Sequence, residues 1–489
     1  MSLFRKKPLS KLLSQADDHG SGLKRTLTAK GLVALGIGAI IGAGLFVRTA
    51  AASGEAAGPA VTLSFIVAAI GCAFAGICYA EFAAMIPIAG SAYTYSYVTM
   101  GEFVAWTIGW ALVLEYALGA ATVAIGWSEY LNNLFGGALP FEWCHSPFEV
   151  SAGGAHGIVN APALLILLLL TLLLIKGTQE SATVNSIIVM VKVAIVIAFI
   201  AIGWQFISPA NHTPFLIPAG TPGHEGIFRH GWGGVLGGAG IVFFAFIGFD
   251  AVSTAAQEAK NPARDMPIGI LGSLAVCTVL YILFGYTLTG VAPYQEFLTA
   301  GKEASVAYAI QHHMPGYGWL ATLVTVAILL GFSSVILVML LGQSRVFFSM
   351  ANDGLLPGLF ADLHKTFRTP YKCNVMLFFL VGAFAGFVPG SLAGDLTSIG
   401  TLFAFVLVCI GVWIMRRKEP HVHRPFRTPM VPLIPILGVL ICSGMIISLD
   451  RRTQLTALGW MIAGFLIYFL YSKNHSRLRM QPEPEEALK

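Results

Sequence analysis

The chain reads as an all-α membrane protein of about twelve transmembrane helices, two of them broken in mid-membrane. Three observations predict this. First, its 489 residues are 56% hydrophobic and only 11% charged, too little polar surface to cover a soluble protein of that size. Second, runs of about 17 to 25 mostly apolar residues recur from Gly31 nearly to the C-terminus, and their length, with no apolar/polar alternation, selects helices over a β-barrel. Third, two of those runs are interrupted by glycine clusters at a depth where a membrane helix should be continuous.

The predicted spans are 31–52, 60–85, 101–131, 159–176, 183–206, 232–257, 268–290, 318–349, 374–388, 396–415, 430–448 and 454–472. The first thirty residues form a polar, basic leader (Arg5, Lys6, Lys7, Lys11, Lys24, Arg25, Lys30), and 474–489 a short tail. A signal peptide is the rival reading of the first run, helped by the small residues Ala50, Ala51 and Ala52. The long polar leader and the many spans that follow favour a retained helix instead. With both termini inside, 23 of the 29 Lys and Arg fall on the inner side, five on the outer side (Arg48, Arg229, Lys302, Arg451, Arg452), and Lys192 lies within a span. That asymmetry sets the orientation and accounts for the net charge of +5 without any nucleic-acid partner. Seven cysteines, most of them in apolar segments, make neither a disulfide framework nor a metal motif, so no metal is expected. Residues 31–473 are read as one membrane domain, since the loops at 132–158, 207–231 and 291–317 are too short to fold separately. The inner segment 86–100, with its tyrosines and no Lys or Arg, is expected to be an interfacial helix, with a lid as the alternative.

The first interruption is the run from Gly36 to Gly44, with glycines at 36, 38, 42 and 44. Each glycine costs about 1 kcal/mol relative to alanine in a helix interior, so this stretch can unwind. Close helix approach is the other use of such glycines. The second interruption runs from Gly233 through Gly240 into Phe243, Phe244, Ala245, Phe246, Ile247, Gly248, Phe249 and Asp250. It comes five spans later, in a helix crossing in the opposite sense. Broken segments at corresponding places in two inverted halves point to a transporter site at the bilayer midplane. The halves would be about 31–206 and 232–415, with two extra helices at about 430–472.

At such a site the half-helix beginning near Gly44 offers N–H groups, which suit a carboxylate. The half-helices ending near Ile40 and Phe244 offer carbonyls, which suit an ammonium. Donors facing acceptors across one cavity fit a zwitterion, hence an α-amino acid. The phenylalanines at 243, 244, 246 and 249 either close over the ligand or simply pack, and Asp250 is expected to cap the inner half of the sixth helix. Lys192 lies about nine residues, roughly 13 Å, from its span's inner end, beyond the reach of a lysine side chain, so snorkelling does not explain it. A charge at that depth costs on the order of 3 kcal/mol and is by default functional or paired; here it is a candidate for proton coupling or for organising the site. Glu115, midway along the third span, can face a cationic side chain of the substrate, relay a proton or pair structurally. Glu81 and Arg345 read as gate or anchoring charges near the cytoplasmic side.

The run Gly36-Ile-Gly-Ala-Ile-Ile-Gly-Ala-Gly-Leu-Phe46, Cys78-Tyr-Ala-Glu-Phe82, Pro87 with Gly90-Ser-Ala-Tyr-Thr-Tyr95, Phe246-Ile-Gly-Phe-Asp-Ala-Val-Ser-Thr254 and Asn261-Pro-Ala-Arg-Asp-Met-Pro-Ile-Gly-Ile270 resemble the amino acid-polyamine-organocation superfamily. Within it, the chain is similar to bacterial members of the cationic amino acid transporter family, from about residue 25 to 472. The resemblance implies a LeuT-like, five-plus-five inverted repeat with discontinuous helices 1 and 6. It implies substrate contacts from Ile40, Ile41, Gly42, Ala43 and Gly44 on one wall, Phe244, Ala245 and Ile247 on the other, and Glu115 near the pocket. Lys192 matches a fifth-helix lysine that stands in for sodium in proton-coupled relatives. Ala43 departs from the hydroxyl residue common there, which bears on substrate preference. The expected activity is proton-coupled symport of amino acids across the cytoplasmic membrane, cationic or broad in range, with the proton as coupling ion and no cofactor. The expected partners are the amino acid, the proton and membrane lipid; a small membrane subunit or an oligomer is left open. An exchanger or uniporter on the same fold, and a non-transporting sensor, are the alternatives. No nucleophile-base pair supports an enzyme.

Overall fold

The computed structural model describes residues 3–8, 27–42, 44–87, 91–151, 153–176, 181–299, 305–367 and 369–480. Among them the regular structure is helical, with two isolated β-bridges. Eight helices are long and apolar enough to cross a membrane, and four shorter apolar helices, Ala29–Ile40, Ala161–Lys176, Tyr371–Phe387 and Leu433–Ser448, overlap other expected spans.

In chain order, α1 (Ala29–Ile40) is capped by the Thr28 hydroxyl, which accepts from Gly31 N–H. It stops at Ile41, whose backbone is extended. The chain resumes as α2 (44–57), opening with the π-turn Gly44–Arg48, and bends at Gly58 (φ +59°) into α3 (Val61–Met85). A short helix α4 (Ser91–Thr99) then leads through Gly101 (φ +97°) into α5 (Glu102–Leu134). Next come α6 (Ala161–Lys176), α7 (Ser181–Gly203) and α8 (Gly231–Val242). A 3-10 stretch, Phe243–Phe246, and a break at Ile247 and Gly248 (φ +114°) separate α8 from a second, nine-residue 3-10 helix, labelled α9 (Asp250–Glu258). The remainder is α10 (Pro262–Val291), α11 (Ser305–His313), α12 (Gly318–Asn352), α13 (Tyr371–Phe387), α14 (Gly390–Lys418), α15 (Leu433–Ser448) and α16 (Arg451–Met480).

The second broken span and α5 are the most deeply buried of the long apolar helices. In α5 and in 231–256, 94% of the most apolar window is buried, against 33% in Ile187–Phe206 and 22% in Arg451–Met480, which places the latter two at the lipid-facing periphery. On α6 the leucines 165, 168, 169, 172 and 173 are exposed, as a lipid-facing stripe should be. The chain entering α1 and the chain leaving α9 meet on one side, where Lys260 N–H donates to Leu27 O at 2.8 Å. Both broken spans are thus joined at one end by backbone.

Two local expectations change. The tyrosine-bearing helix α4 is buried along all nine residues, and its Tyr95 lies flat against Phe82 of α3 with ring centroids 5.2 Å apart. Helix α4 is therefore part of the protein interior and not an interfacial helix, because α5, α9 and α14 pack around it. Arg48, counted with the outer loops, is instead 4% exposed inside α2 and pairs with Asp395 of α14.

Other charges tie elements together at the ends of the bundle. Residues 3–8 lie across one face, with Glu102 N–H donating to Arg5 O at 3.0 Å and Lys7 paired to Asp353 at 2.9 Å. Tyr93 donates to the other oxygen of Asp353, at 2.9 Å. Glu81 accepts two bonds from Arg416, each 2.9 Å, and one from Thr428 N–H, which makes it an anchor between α3 and the end of α14.

Candidate functional site

Both glycine-bearing spans are broken where the sequence places the breaks, and the two breaks touch. A β-carbon on Gly44 would overlap Ala245 Cα, and one on Gly248 would stand 2.9 Å from the Ala39 carbonyl. Only glycine permits that approach, so the first run both unwinds and packs closely. Gly36 serves packing, facing Ser273 of α10, whereas Gly42 lies in the break beside Val335 of α12. Ala43 lies outside the described residues.

The carbonyls freed by the breaks have specific partners. Tyr281 of α10 places its hydroxyl 3.0 Å from Ile40 O and 2.9 Å from Ala245 O, so one proton is shared between the ends of both broken helices. Each carbonyl oxygen has two lone pairs, which leaves acceptor capacity for an ammonium at the same point. Lys192 is 2% exposed and donates to Gly38 O at 3.0 Å and Ile41 O at 3.1 Å. Its ammonium therefore closes the last turn of α1, and its burial excludes snorkelling. Ile41, expected among the substrate contacts, has its carbonyl engaged by Lys192.

Phe244, Ala245 and Ile247 are all buried beside the first break. The other phenylalanines of this span serve packing: Phe243 and Phe249 lie against Phe405, and Phe246 lies against Phe65 and Tyr281.

Glu115 occupies a second cluster. It sits in a π-turn, Leu114–Leu118, within α5, an irregularity frequent at functional sites. It is fully buried and faces Asp250 and Thr401, yet neither of its oxygens makes a hydrogen bond of normal geometry among the described residues. Among the described residues no basic side chain is paired with it; its neighbours on other helices are the Asp250 carboxyl and the Thr401 hydroxyl. Asp250 opens α9 as expected: its side chain lies beside the N–H groups of Asp250 and Ala251 at the start of that helix and accepts from the Tyr116 hydroxyl at 2.7 Å.

Sequence reasoning misses Tyr281 and the Arg48–Asp395 pair. A signal for Tyr281 is present: a hydroxyl at mid-depth of an apolar span must find a partner. Which partner it finds depends on where α10 crosses the breaks, and no local pattern encodes that.

The family model described as amino acid permease matches residues 27–470. A branched-chain amino acid permease of Bacillus subtilis is 42% identical over 98% of this chain and 99% of its own length. A methylthioribose transporter of the same organism is equally similar, 42% identical over the same shares. A vacuolar cationic amino acid transporter of Arabidopsis thaliana is 34% identical over 86% of this chain and 68% of its own length. With two broken helices meeting at a carbonyl-rich centre and a family match over nearly its whole length, the chain belongs to the amino acid permease family of the amino acid-polyamine-organocation superfamily.

Proposed function

We propose that the protein is a proton-coupled amino-acid symporter of the cytoplasmic membrane, working by alternating access. The observation that carries the coupling is the Lys192 ammonium seated on the Gly38 and Ile41 carbonyls. A cation fixed at the break ties α7 to α1 when protonated and loosens it when neutral, so a proton governs whether the first helix can move. Substrate is held by its backbone groups, the carboxylate at the N–H groups of the first break and the ammonium at the carbonyl oxygens of Ile40 and Ala245. Glu115, Phe244 and Ile247 line the remainder. Twelve spans in a five-plus-five inverted repeat, with both termini inside, are the architecture this requires, and the charge asymmetry supports that orientation. The proton is the coupling ion, and the reading needs no cofactor.

The similarity to a branched-chain amino acid permease favours a neutral, branched substrate. The buried carboxyl groups of Glu115 and Asp250 favour a second reading, a cationic side chain, and the methylthioribose transporter adds a thioether sugar to the panel. Uptake into proteoliposomes under an imposed proton gradient tests the coupling. Lys192→Met is expected to abolish gradient-driven accumulation with membrane insertion intact. Accumulation at the wild-type level would remove the assignment. Competition by leucine, arginine and methylthioribose then ranks the substrates.

A further inference from the structure

The Lys192 side chain reaches α1 by crossing a gap in α12. A β-carbon on Gly331 would lie 2.8 Å from Lys192 Cε, 3.2 Å from Cγ and 3.4 Å from Cδ, so the lysine stem runs directly over this glycine. Glycine is a poor choice for the interior of a 35-residue apolar helix, and open space for the stem is the physical reason for it here. One turn further along the same face, Val335 abuts Gly42 in the first break. A single strip of α12 thus backs both the lysine stem and the segment that its ammonium holds.

We propose that Gly331 is a positioning residue for the coupling lysine: its missing side chain sets the path that brings Nζ to the Gly38 and Ile41 carbonyls. The proposal rests on the coupling role assigned to Lys192. The groups around that side chain are the α1 carbonyls, Gly331 of α12 and, as the titratable neighbour, Cys277 of α10. A methyl group at 331 pushes Cε away, and the two hydrogen bonds lengthen or break.

The test uses the full chain in proteoliposomes, with Gly331→Ala, Lys192→Ala and the double variant. Proton-driven accumulation, counterflow exchange without a gradient, and melting temperature are measured for each. Gly331→Ala is expected to lower accumulation by about tenfold, the factor for roughly one charge-assisted hydrogen bond, while exchange persists. It should lower the melting temperature in the Lys192 background and leave it unchanged or raised in the Lys192→Ala background, where the stem is gone and alanine is the better helix former. If Gly331→Ala alone fails to fold, the double variant should restore folding, and failure to restore it overturns the proposal. Wild-type accumulation by Gly331→Ala, with Lys192→Ala inactive, overturns this proposal alone. Retained accumulation by Lys192→Ala overturns the coupling reading as well.

Discussion

Tyr281→Phe isolates the group that joins the two broken helices. The ring packs 5.5 Å from Phe65 and 5.2 Å from Phe246 between centroids, and phenylalanine keeps those contacts. Only the hydroxyl is removed, and with it the shared donor to Ile40 O and Ala245 O. Leaving buried carbonyls without that partner costs about 1 to 3 kcal/mol. If the cost falls on the conformation that binds substrate, KM rises by roughly five- to 140-fold at 1.4 kcal/mol per decade. Initial uptake rates over a substrate series in proteoliposomes give KM, with melting temperature as the control for folding. A KM within about twofold of wild type would show that the hydroxyl does not organise the site, and the account of two carbonyl ends fixed at one point would be refuted.

Gly44→Ala drives a methyl group into the Ala245 backbone and is expected to abolish uptake while leaving membrane insertion intact; normal transport would place the touching breaks in doubt. Arg48→Met leaves Asp395 buried without its cation and should cost about 3 to 5 kcal/mol of stability, whereas Arg48→Met with Asp395→Leu should recover most of it. Thermal unfolding of the single and double variants checks this, and additive losses would argue against a coupled pair. Lys7→Ala or Asp353→Asn loosens the strap across residues 96–103 and should raise alkylation of cysteines introduced beneath it from that face, a readout that stays flat if the strap is passive.

Both helix breaks are legible in the sequence because glycine clusters are unusual inside apolar spans. Lys192 and Glu115 are legible because charge at that depth is costly enough to need a reason. Helix α4 is not, since tyrosines suit a membrane interface and a protein interior equally well, and only the packing of α5, α9 and α14 around it decides between them.

Sequence alone determines that this is a many-helix membrane protein with interrupted spans at two places, because hydropathy and backbone cost are properties of contiguous residues. Tertiary structure decides what meets at the breaks: Tyr281 on two carbonyls, Lys192 over Gly331, Glu115 against Asp250. Those contacts join residues from tens to hundreds of positions apart, and their partners are chosen by how the helices cross, which no local pattern of residues records.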